Sequence, residues 1–171
     1  ARSCLAKLPG DPRYYTTSVA VRDLLVRQAG EVTSSTWGGN AGRVTVRAAD
    51  ITLDGGTRDY AGINSAAYEG SHGDAGNVDV AATGHIRVLN GAQISSSTFS
   101  VGEAGSIRLA ATSLLVDGAG SITPIASISN RTATGNAGTV DVDVSGPIVL
   151  RDGAMIRSGT FSSGNAGAVR V

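Results

Sequence analysis

One eight-residue motif occurs five times along the chain, and this recurrence restricts the possible folds more than any other feature of the 171 residues. It reads GNAGRVTV at 39–46, GDAGNVDV at 73–80, GEAGSIRL at 102–109, GNAGTVDV at 135–142 and GNAGAVRV at 164–171. The shared pattern is G-[NDE]-A-G-x-[VI]-x-[VL]. Its alanines, Ala41, Ala75, Ala104, Ala137 and Ala166, are separated by 34, 29, 33 and 29 residues, so long and short units alternate.

Two further strand-like pieces follow the motif in each unit, marked by apolar and polar residues alternating at period two. The second piece is Ile51-Thr52-Leu53, Ile86-Arg87-Val88, Leu114-Leu115-Val116 and Ile148-Val149-Leu150. The third is Ile63-Asn64-Ser65, Ile94-Ser95-Ser96, Ile125-Ala126-Ser127 and Ile156-Arg157-Ser158. Between them sits a turn, DGG, NGA or DGA, beginning at Asp54, Asn90, Asp117 and Asp152, where glycine adopts backbone angles that other residues resist. The extra residues of the long units fall after this turn, at 57–62 and 120–124. Three strands and three corners make one coil.

One coil buries too little aliphatic surface to stand alone, so its stability must come from stacking, each strand pairing in parallel with its equivalents above and below. The expected fold is all-β: a parallel β-helix, or solenoid, of three short strands per coil and about five coils. Inward positions then form aliphatic ladders such as Val44, Val78, Ile107, Val140 and Val169. Between the inward residues of the first strand lie Thr45, Asp79, Arg108, Asp141 and Arg170, a register that alternates opposite charges over three steps. The serines Ser34, Ser65, Ser96, Ser127 and Ser158 fall on an inward column near a corner, where hydroxyls satisfy backbone groups of the turn. A structural role for them is expected over a nucleophilic one.

Composition agrees. Only 4% of residues are aromatic, there are 24 glycines, and the apolar content is Val, Ile, Leu and Ala, which favours short strands and tight turns. Fourteen basic and fourteen acidic residues leave no net charge and no electrostatic footprint for nucleic acid. No apolar run approaches the roughly 20 residues of a membrane span. The one cysteine, Cys4, has no partner for an internal disulfide, and no ligand spacing for a metal occurs. Residues 1–16 read as an irregular segment or cap, with Tyr14-Tyr15 in the place of the Ala-Gly pair, and 17–171 as a single solenoid domain that stops inside a first strand. That stop is expected of a piece of a longer protein, whose secretion signal would lie outside this stretch.

The unit G-N-A-G-x-V-x-V followed by I-x-L-x-D-G-A-x-I-x-S resembles the repeats of filamentous-haemagglutinin-like exoproteins of bacterial two-partner secretion systems, over residues 24–171. The resemblance implies a right-handed β-helix, export through an outer-membrane transporter partner, and a secreted or surface-exposed filament used in adhesion, aggregation or biofilm. It brings no catalytic residues, no cofactor and no metal, and the near absence of cysteine suits unfolded passage through a pore. Host-cell receptors, glycans and neighbouring cell surfaces are the partners it implies.

Parallel β-helices also carry polysaccharide-cleaving enzymes, whose sites need clustered carboxylates or calcium ligands. Asp79, Asp141 and Asp143 on the first-strand face read as a charge ladder, and Asp59, Glu69, His72 and Asp74 as solvated loop residues; His85 reads as a surface histidine. No enzyme is expected. An ice-binding face is excluded by the irregular outward column Thr33, Asn64, Ser95, Ala126 and Arg157, and Asn130-Arg131-Thr132 is discounted as a glycosylation signal. Contact chemistry is expected where the chain departs from its repeat, in the two long loops and around Trp37, Tyr60, Tyr68, Phe99 and Phe161. Trp37, Phe99 and Phe161, at matched positions, are expected to stack on one another.

Overall fold

A computed structural model describes residues 16–56 and 60–171 in full and Leu5–Ala6 by backbone. The expectations for Cys4, Tyr14, Tyr15, Thr57 and Asp59 lie outside the described residues. Those residues form three sheets and no helix. The first sheet holds β1 (Leu5–Ala6), β2 (Thr16–Ala20), β5 (Val44–Ala48), β8 (Val78–Ala82), β11 (Ile107–Ala111), β14 (Val140–Val144) and β17 (Val169–Arg170). The second holds β3 (Asp23–Arg27), β6 (Asp50–Asp54), β9 (His85–Leu89), β12 (Ser113–Asp117) and β15 (Ile148–Arg151). The third holds β4 (Glu31–Thr36), β7 (Gly62–Ala67), β10 (Gln93–Thr98), β13 (Thr123–Ser129) and β16 (Ala154–Thr160). Every pairing is parallel and joins equivalent strands of successive coils, except that β1 runs antiparallel to β2. The chain is a β-solenoid of about five coils.

The register is the one the aliphatic alternation requires. Val78 pairs with Val44 and Ile107, and Val140 with Ile107 and Val169. Ile51, Ile86 and Leu114 stack in the second sheet, and Ile63, Ile94 and Ile125 in the third. All of these except Val169, in the last coil, are buried, in one continuous core that contains no aromatic side chain. β-Branched residues suit it because they pack on a pleated surface and lose little rotamer freedom there.

The serine column joins this core to its corner. Ser96 Oγ accepts the N–H of Gly105 at 2.9 Å and donates to the carbonyl of Gly76, in the preceding coil, at 2.9 Å. Ser65, Ser127 and Ser158 repeat the arrangement with Gly76 and Gly42, Gly138 and Gly105, and Gly167 and Gly138. Ser34 receives the N–H of Gly42, and the Ser65 hydroxyl hydrogen is shared between Ser34 O at 2.8 Å and Gly42 O at 3.1 Å. From Ser65 onward each hydroxyl is thus donor and acceptor at once, which satisfies buried backbone groups that the strand ladders do not reach.

The glycines of the GxAG corners are there for space. A Cβ on Gly76 or Gly105 would lie 2.1 or 2.3 Å from the carbonyl oxygen of the equivalent glycine one coil below. A second set of side-chain ladders runs beside them: Asn40 Oδ1 accepts from the N–H of Asp74, Asp74 Oδ1 from that of Glu103, and Asn136 Oδ1 from that of Asn165. The Asn and Asp of the motif are therefore acceptors for the next coil's backbone, whereas Glu103 accepts from the Asn136 side-chain amide at 3.0 Å.

Two expectations need correction. The turns between the second and third strands are not aligned as the DGG, NGA and DGA strings suggest, because Asp54 and Asp117 pair with Leu89, and Asp117 with Arg151. In the short units the turn is Leu89-Asn90-Gly91-Ala92, closed by the Ala92 N–H on Leu89 O at 3.0 Å, with Asn90 (φ 53°) and Gly91 (φ 81°) both left-handed, as in a type I′ turn. The long unit reaches the same geometry one residue later, at Ala119 and Gly120. The column Thr33, Asn64, Ser95, Ala126 and Arg157 has the predicted register, but Asn64, Ser95 and Ala126 are buried and do not form an open outward face. Tyr60, from the long loop, lies over Asn64 and Gln93 and bonds both, and Ala126 is sunk between Ser95 and the long Arg157.

Candidate functional site: the aromatic corner after the third sheet

Outward faces and corners carry whatever chemistry the rod presents, since its core is dry aliphatic packing. On the first sheet, Asp79 pairs in the ladder with Thr45 and Arg108, and Asp141 with Arg108 and Arg170. Of the three opposite-charge steps Asp79–Arg108, Arg108–Asp141 and Asp141–Arg170, only the last closes to an ion pair among the described residues. Arg170 bonds Asp141 at 3.0 Å as the ladder requires, but Asp79 is held by Arg43, from the preceding corner, at 2.5 Å. That contact raises the Arg43 pKa further above its ordinary value, through the hydrogen bond first and charge second. A shallow trough of about 290 Å³ runs over Ala81 and Ala110, with Arg47, Arg108 and Asp143 on its borders.

The other carboxylates do not converge. Asp74 serves the backbone ladder, Glu69 lies 3.4 Å from Thr132 Oγ1, and His72 is exposed. Asp50 accepts the His85 N–H at 2.7 Å, and the His85 ring meets Ser113 Oγ at 2.7 Å. Among the described residues, no three His, Cys, Asp or Glu side chains come together in a way that could hold a metal ion.

The rings do converge. Each third strand ends in a paired row, Thr36 with Ala67, Ala67 with Thr98, and Ser129 with Thr160. The residues one step later therefore stack in the order Trp37, Tyr68, Phe99, Asn130, Phe161. Trp37 and Tyr68 lie with ring centroids 4.5 Å apart and planes 24° from parallel, and Tyr68 and Phe99 are 5.9 Å apart at 25°. The expected triple stack of Trp37, Phe99 and Phe161 is thus replaced by a stack through Tyr68. Phe161 is isolated from the others by Asn130, and the Arg157 guanidinium sits 5.5 Å over its ring.

Where the column is interrupted, the surface opens. Phe99 and Phe161 wall a cleft of about 300 Å³ with Asn130 between them and Glu69, Arg131 and Thr132 on its margin. Asn130 is tied to the strand below, its N–H donating to Thr98 O at 2.9 Å and its side-chain amide to the same oxygen at 3.3 Å. Thr132 Oγ1 also donates to Phe99 O at 3.0 Å. Two aromatic walls, a small polar floor and charged groups of both signs can hold a ligand that is flat and apolar on its faces and polar at its edge. Matching aromatic residues to one another along the sequence does not reveal Tyr68 and Asn130 as members of this column. Counting one residue beyond each paired row does.

No family model, curated protein or solved structure matches the chain.

Proposed function

We propose that this chain is the repeat region of a large secreted or cell-surface bacterial adhesin, acting as a stiff rod that displays its flank for adhesion, aggregation or biofilm formation. The observation that carries the reading is the unbroken serine–glycine relay from Ser34 to Gly167, with hydrogen bonds of 2.7 to 3.1 Å at every step. A polar ladder continuous through a close-packed core leaves no coil boundary softer than the others, which is what a load-carrying spacer requires. Each coil extends the rod by one strand spacing, about 4.8 Å. Adhesion itself is supported by the resemblance of the repeat to filamentous-haemagglutinin-like exoproteins. With it comes an outer-membrane two-partner transporter as the export partner and a host receptor, glycan or neighbouring cell as the target.

The test is direct. Beads coated with the chain are expected to adhere to epithelial cells, or to each other, well above beads coated with albumin; equal adherence would remove the adhesive role. Incubation with polysaccharides, with and without calcium, is expected to leave their chain length unchanged. Cleavage that disappears in Asp79→Ala or Asp74→Ala would make the protein an enzyme instead.

A further inference from the structure

We propose that the cleft between Phe99 and Phe161 binds a pyranose ring of a polysaccharide, the ring taking the place in the aromatic column that Asn130 leaves open. The site deepens the adhesive reading by naming what the rod holds, and it rests on that reading only for its biological use.

The spacing makes the case first. Phe99 and Phe161 stand two coils apart, about 9.6 Å at the usual strand separation. A flat ring held between two others needs about 3.5 to 4 Å on each side, so one ring fits and two do not. The stack below shows that rings at this corner lie face to face along the rod, Trp37 on Tyr68 and Tyr68 on Phe99. The upper side of Phe99 faces Asn130, whose short side chain is drawn down to Thr98 O and leaves the place of a ring empty.

The chemistry of the rim then selects the ligand. A pyranose presents C–H groups on its faces and hydroxyls around its edge, and the cleft offers the complement. Phe99 and Phe161 supply apolar faces, while Glu69 accepts and Arg131 donates hydrogen bonds at the edge. Thr132 gives its one hydroxyl hydrogen to Phe99 O at 3.0 Å, which leaves the Glu69 carboxylate open to a ligand, and Arg157 packs on Phe161. Glu69 and Arg131 offset each other in charge, and Arg157 on Phe161 adds one positive charge, so the cleft accepts a neutral or an acidic sugar. A volume of about 300 Å³ is at the lower end for ligand sites, which suits one sugar residue of a chain that continues out into solvent. The trough on the first sheet is of similar size but has no ring to stack on.

Retention of the full chain on immobilised dextran, galactomannan and hyaluronan tests the proposal, alongside adherence of coated beads to cells. Retention is expected on at least one of the three polymers. Asn130→Phe fills the gap with a fourth consecutive ring and is expected to reduce retention at least 10-fold without lowering the unfolding temperature. Glu69→Ala, at an exposed position, weakens retention about 5-fold, and Leu25→Ala, exposed on the second sheet away from the cleft, leaves it unchanged. Absence of retention on every polymer, or undiminished retention in Asn130→Phe with Glu69→Ala, overturns the cleft. Beads that still adhere to cells in that event leave the adhesive reading standing. Retention on polymer without cell adherence does the opposite, keeping the cleft and removing the adhesive role.

Discussion

Ser96 Oγ lies 2.9 Å from the carbonyl oxygen of Gly76 and donates to it across the boundary between two coils. The same hydroxyl oxygen receives the Gly105 N–H, so one hydroxyl serves two buried backbone groups. Ser96→Ala removes both partners while leaving the coil otherwise intact. An unsatisfied buried group costs on the order of 1 to 3 kcal/mol, and the variant is expected to lose at least about 2 kcal/mol by urea unfolding. An unchanged midpoint would mean that water replaces the hydroxyl and that the relay is dispensable.

Glycines of the corner and of the strand are expected to behave in opposite ways. Gly105→Ala drives a Cβ to 2.3 Å from the Gly76 oxygen, and backbone cannot yield there without parting the coils. A loss of about 3 kcal/mol or more is expected. At Gly159 a Cβ meets nothing within 4 Å and φ is not left-handed, so Gly159→Ala should be neutral or stabilise by roughly 0.5 kcal/mol through the unfolded chain. Thermal unfolding of the pair checks both signs.

Tyr60 provides a spectroscopic handle on the long loop. Burial pushes its phenol pKa up to about 12, opposed by the hydrogen bond from Gln93 and reinforced by the Glu31 charge. An ordinary tyrosine titrates near pH 10. Among the four tyrosines, one is expected to ionise near pH 12 by ultraviolet absorbance, and Tyr60→Phe should abolish that phase. Because the folded-state pKa is the raised one, the neutral phenol's contribution to stability is intact below about pH 10 and is lost as pH rises toward 12. Titration of all tyrosines together near pH 10 would show that the loop does not cover Tyr60.

Acid acts through the turns. The Asp54 pKa is lowered by the Asn90 side-chain amide and the Gly56 N–H, and the Asp117 pKa by the Ala119 N–H and Arg151. Folded-state values below the unfolded one mean that these contributions are present above about pH 4 and are lost as pH falls through the lower values. The urea midpoint should hold from pH 7 to about pH 4 and then fall, less steeply in the Asp54→Asn, Asp117→Asn double variant. Both carboxylates are near the surface, so the effect is modest and weakens in salt.

Much of the fold was legible from sequence because a period-two pattern permits one register, and a slip by one residue would turn every inward Val and Ile outward. Val44, Val78, Ile107 and Val140 can be aligned without coordinates for that reason. The serine column was legible as structural, though not its double duty, since donor and acceptor partners lie in different coils. What escaped was lateral. Arg43 reaches Asp79 from outside the strand, and Tyr60 folds back over Asn64, contacts set by loop paths and not by periodicity. The aromatic corner escaped because matching rings to rings hides the position that Asn130 occupies; the 31-residue step of the serine column, carried three residues on from Ser34, runs through Trp37, Tyr68, Phe99, Asn130 and Phe161.

The relay from Ser34 to Gly167 also has a direction. From Ser65 onward every serine hydroxyl hydrogen on it points toward the amino-terminal end, and every GxAG corner answers with a carbonyl from that side. The relay is therefore polar: each coil gives a hydroxyl hydrogen to the coil before it and a glycine carbonyl to the coil after it, which holds successive coils in one sense along the stack.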